Sequence, residues 1–146
     1  MSSRRKTGRE ALAQARRVVV KIGTNALTHA TGKFHRPHFE KLAKELLALG
    51  AGRELIVVSS GAIALGVERM GLSSRPKDMP GKQACAAVGQ SRLMRAWEEA
   101  FAPHGVVVAQ ALLTPEDTER RRRWLNARAT LETLLEHKAV PVINEN

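Results

Sequence analysis

The chain reads as an α/β protein: a mainly parallel sheet with helices on both faces, three layers in all. Three observations predict this. Short apolar runs alternate with stretches of helical periodicity four times along the 146 residues, the pattern that right-handed crossovers on a parallel sheet produce. The second run, LIVV at 55–58, is apolar at every position, as expected of a strand covered on both sides. Each run also ends in small, polar or capping residues, and in such sheets ligands bind outside the carboxyl ends of the strands.

Taken in order, 18–22 (VVVKI) is a valine-rich strand that stops at Gly23-Thr24-Asn25. Pro37 suits a first helical position. After it Phe39, Leu42, Ala43, Leu46 and Leu47 fall at helical spacing until Gly50. The strand at 55–58 runs through Ser59-Ser60-Gly61 into a helix that ends near Met70, with Gly66 inside it. A loop with two prolines, 72–81, precedes a long helix over 82–101, where Met94, Trp97 and Phe101 share a face. The third strand is 106–113. Thr114-Pro115-Glu116-Asp117 caps the next helix, with its acids at the positive end of the dipole. Ala127, Leu131, Leu134 and Leu135 mark that helix's apolar stripe before the last strand, 140–143. Residues 1–16 read as a basic, disordered leader and 17–146 as one folded unit.

Composition narrows the function classes. No apolar run approaches the 18–20 residues of a membrane span. The basic N-terminus lacks the apolar stretch of a signal peptide, so a cytoplasmic location is expected. Cys85 is the single cysteine, which excludes an internal disulfide and a cysteine metal cluster. The histidines lack ligand spacing, His35 and His38 read as surface residues, and no metal site is predicted. The net charge of +10 suits polyanions or a small anionic ligand. With five aromatic side chains available for stacking, the Arg120–Arg123 run reads as a solvated face rather than a nucleic-acid patch.

Familiar nucleotide motifs do not fit. Gly61 and Gly66 have P-loop spacing, but Val67-Glu68 stand where Lys-Ser/Thr is required. Ser60 is no nucleophile elbow, since Val58 replaces the leading glycine. What remains is the turn itself. Gly61 and Ala62 sit at a helix start, where backbone N–H groups lack helical partners and small side chains let an anion approach. On local sequence alone a plain tight turn accounts for it equally well. Lys21, inside an apolar strand, is costly unless its ammonium meets an anion or reaches water. Read together with the turn on the next strand, it points to an anion.

The segments VVVKIGTNAL, IVVSSGAIALG, KQACAAVGQSRLMRAWEEAF, LLTPED, LNARATLETLL and VPVINEN resemble, in order, those of the glutamate 5-kinases, members of the amino acid kinase family with its carbamate kinase-like fold. The likeness runs over about 18–146. It implies ATP-dependent phosphorylation of the L-glutamate γ-carboxylate to L-glutamyl 5-phosphate, the first step of proline biosynthesis, with Mg2+ assisting. It further implies that Lys21 contacts ATP phosphates and carries catalysis, with Gly23 and Thr24 beneath those phosphates. Ser60, Gly61, Ala62 and Asn144 would bind glutamate. Proline as a feedback inhibitor and a homo-oligomeric full-length enzyme are implied as well.

The family pattern continues past Asn146 with a glutamate-binding aspartate, the adenine segment and a second phosphate-binding lysine. The chain is therefore expected to be the truncated N-terminal part of a catalytic domain, inactive by itself and with apolar sheet surface exposed. Two other readings compete: a non-catalytic glutamate- or proline-binding remnant, and a basic nucleic-acid-binding domain.

Overall fold

A computed structural model describes residues 8–28 and 33–145. Where the sequence predicts a disordered leader, Gly8–Ala13 form a short helix, α1, with no buried residue. Arg53 reaches back to it, donating from Nη1 to the Leu12 carbonyl (3.1 Å) and from Nη2 to that of Ala13 (3.0 Å). Residues 1–7 of the expected leader lie outside the described residues.

Four parallel strands form one sheet: β1 (Arg17–Ile22), β2 (Glu54–Ser59), β3 (Val108–Leu113) and β4 (Val140–Glu145), in the order β1-β2-β4-β3. Ile22 stands level with Ser59, Ser59 with Asn144, and Asn144 with Leu112. The four carboxyl ends thus share one rim.

Side chains alternate across a strand, and the register shows which face each helix covers. Ile22, Leu55, Val57, Val140 and Val142 point into the main core. There they meet α2 (Arg36–Leu49), α3 (Ala62–Arg69) and α4 (Met79–Phe101). At its centre Trp97 is fully buried, its ring 4.9 Å from Phe39 and 5.9 Å from Phe101. The opposite face at β3 carries Ala111 and Leu113, which share a cleft with Ala127, Thr130 and Leu131 of α6 (Arg121–Glu136).

Three element boundaries differ from expectation. The long helix starts at Met79, inside the expected loop, because Asp78 caps it by accepting from the Gly81 N–H at 2.7 Å. The third strand begins at Val108 rather than 106. The helix after Thr114 is interrupted. A capping box between Thr114 and Asp117 starts α5 (Pro115–Glu119). Arg120 is then extended (φ −93°, ψ 115°) before α6 begins.

Candidate functional site

The β2–α3 junction is built for close approach. Gly61 takes φ 110° and precedes α3 with no side-chain cap, so the N-cap residue occupies none of the first N–H groups of the helix. The turn is held from below and beside. The Ser60 N–H donates to the Ile22 carbonyl at 3.0 Å, tying the end of β2 to the end of β1. Trp97 Nε1 donates to Ser59 Oγ at 3.1 Å, and that hydroxyl donates to the Ser60 carbonyl at 3.2 Å. A hydrogen-bonded line thus runs from the centre of the core to the turn.

Helix α4 presses on the same place. A Cβ on Gly89 would lie 1.7 Å from the Ala62 carbonyl oxygen, and one on Gly66 would lie 1.8 Å from that of Cys85. The α3 and α4 backbones therefore touch, and both glycines are there for that contact. Asn144, at the end of β4, is 3% exposed and donates through Nδ2 to Gln90 Oε1 of α4.

A cavity of about 600 Å³ opens at this rim. Its lining gathers Thr24, Ser60, Gly61, Ala62 and Asn144 of the sequence-predicted set. Lys21 and Gly23 are absent from the lining. Lys21 is an exposed residue level with Val58, on the face opposite to buried Ile22. Gly23 is exposed with nothing within 4 Å of where a Cβ would stand. Both nevertheless lie at the end of β1, beside the Ser60–Ala62 turn.

Sequence reasoning missed four polar residues of the lining: Lys33, Glu68, Ser73 and Arg75. Ser73 and Arg75 arrive through the end of α3, where Gly71 (φ 65°) donates to the Glu68 carbonyl and Leu72 to that of Val67. This Schellman arrangement sends the chain back over the cavity. Glycine after a helical run was a readable signal for it. The one carboxylate among the described lining residues, Glu68, accepts from the Phe34 N–H at 3.2 Å and lies 3.7 Å from Arg92 Nη1.

A parallel sheet with an uncapped helix start and a polar cavity at one carboxyl rim is the arrangement at which α/β proteins take up small ligands. Residues 16–146 match the amino acid kinase family, and the chain belongs to that family. The glutamate 5-kinase of Myxococcus xanthus (strain DK1622) is 71% identical over 140 residues, 96% of this chain and 37% of that protein. The glutamate 5-kinase of Anaeromyxobacter dehalogenans (strain 2CP-C) is 53% identical over 141 residues, and that of Moorella thermoacetica (strain ATCC 39073 / JCM 9320) 49% over 139. The chain covers 37% of each of these two. It spans little more than a third of the length of the curated relatives it matches.

Proposed function

We infer that this chain forms the glutamate-binding part of a glutamate 5-kinase, an enzyme that transfers the γ-phosphoryl group of ATP to the side-chain carboxylate of L-glutamate. The product, L-glutamyl 5-phosphate, begins proline biosynthesis in the cytoplasm. The observation that carries this reading is the gathering of Thr24, Ser60, Gly61, Ala62 and Asn144 around one cavity.

The chemistry suits those groups. The acceptor is already a carboxylate, so no strong general base is needed. The obstacle is repulsion between two anions. The N–H groups after Gly61 hold the acceptor carboxylate, and Asn144, its amide oriented by Gln90, faces the substrate's polar end. Lys21, Gly23 and Thr24, at the neighbouring strand end, meet the phosphates, where the ammonium offsets charge that develops on the transferred group.

The described residues do not by themselves seat Mg2+. Among them no three His, Cys, Asp or Glu side chains gather to hold a metal, and Glu68 is already engaged. In the full-length enzyme, proline would act as feedback inhibitor and the subunits would form a homo-oligomer.

Calorimetric titration of the 146-residue chain with L-glutamate tests the reading. Saturable one-site binding is expected, together with competition between L-glutamate and glutarate. No binding at millimolar ligand would reject it.

A further inference from the structure

We propose that Lys33 and Arg75 form a cationic subsite for the α-carboxylate of the amino-acid substrate, the carboxylate that is not phosphorylated; this rests on the glutamate reading above. Among the described residues the cavity is lined by two cationic side chains, Lys33 and Arg75, and one anionic side chain, Glu68. Glu68 does not cancel them, because Arg92 and the Phe34 N–H already share its carboxylate. The cavity therefore keeps a cationic wall.

The placement is structural. Gly71 and the Schellman turn bring Ser73 and Arg75 over the cavity from the end of α3. On the other side Lys33 precedes Phe34, whose backbone pairs with Thr28 and bonds to Glu68. The two cations thus enter from separate segments onto a site whose floor is the Ser60–Ala62 turn. A ligand with a single carboxylate would be held at that floor alone. A dicarboxylic amino acid presents a second anion, and two cations on the wall give it a partner. A charged donor matters more than a neutral one here, because charge-assisted bonds are about twice as strong.

The test compares L-glutamate with 4-aminobutyrate, which keeps one carboxylate and the ammonium but lacks the α-carboxylate. Both are titrated calorimetrically at 0.15 M salt, where unspecific long-range attraction is screened beyond about 8 Å. Lys33 and Arg75 are both exposed, so Lys33→Gln and Arg75→Gln should fold normally, which circular dichroism checks. The parent chain should prefer L-glutamate. Each substitution should weaken L-glutamate about tenfold, the effect of losing one charge-assisted contact, with 4-aminobutyrate nearly unaffected. In the double variant the preference should disappear. A preference that survives in the double variant overturns the subsite while leaving the glutamate reading intact, as does an equal loss for both ligands. A parent chain that binds neither ligand overturns both.

Discussion

At φ 110° Gly61 holds a backbone conformation that an L side chain adopts only with strain. A Cβ there would meet Leu27 Cδ1 at 3.4 Å, an ordinary contact, so the cost of Gly61→Ala is conformational rather than steric. It should lower stability by about 1–2 kcal/mol in urea unfolding and weaken L-glutamate binding by re-aiming the amides. Equal binding by the two chains would show that the turn's conformation is not what holds the ligand. Lys21 makes a different demand. In these 146 residues joined to the remainder of the Myxococcus xanthus enzyme, Lys21→Met should lower turnover far more than glutamate affinity. A loss of about 3 kcal/mol, roughly a hundredfold, is the scale for one well-placed donor. Turnover that does not change would remove Lys21 from the reaction. Lys21 and the turn were legible as oddities, a charge in an apolar strand and small residues at a helix start. The positive φ at Gly61 was not, because many glycines in turns do without it.

Between elements, the decisive contact is the crossing of α3 and α4. By propensity alone Gly66 weakens the helix that holds it. It is instead a place where one helix needs to have no side chain, and Gly89 is its counterpart. No periodicity reveals this, since the clash is with backbone distant in sequence. Gly89→Ala should cost about 1–3 kcal/mol as the helices part, and because the obstructed atom is the Ala62 carbonyl, glutamate binding should fall with it. A stable Gly89→Ala chain with parental affinity would contradict the crossing. At the opposite rim Glu54 joins β2 to the start of β1, accepting from Arg17 Nε at 2.7 Å and Arg16 Nη2 at 2.9 Å. The hydrogen bond from Arg17, followed by the charges of both arginines, holds the Glu54 carboxyl below its ordinary value. Asp117 is lowered likewise, by the Thr114 N–H and hydroxyl and then by Arg123. A lowered native value means that the stabilisation is complete above the ordinary carboxylate range, about 4. It is lost as the pH falls through the native values. Glu54→Gln should flatten the acid limb of a stability-against-pH curve. An unchanged limb would assign that dependence elsewhere.

For the molecule as a whole, the strand order makes the site. Helix and strand alternation predicts a parallel sheet and one shared rim. It does not predict that β4 lies between β2 and β3, and that insertion is what brings Asn144 level with Ser59. The residues at the ends were therefore readable, and their adjacency was not. The loop over 72–78 shows the same limit. Its composition announces a turn, whereas its fold over the cavity depends on where α3 stops. Each face of the sheet leaves an apolar side chain exposed at an edge strand, Val19 of β1 (59%) on one and Leu112 of β3 (63%) on the other. The described lining residues include no aromatic side chain on which a nucleotide base could stack. The 146-residue chain alone should therefore yield no glutamyl hydroxamate from glutamate, MgATP and hydroxylamine. Robust product formation would mean that phosphoryl transfer needs nothing beyond these residues.

The bond from Trp97 to Ser59 has a practical consequence. Of the two indoles, one is sealed in the interior and touches the Ser59 hydroxyl beneath the Ser60–Ala62 turn, while Trp124 is 43% exposed. Replacing Trp124 by Phe would leave a single intrinsic fluorophore wired to the pocket floor. Its emission would then register occupancy without any added dye.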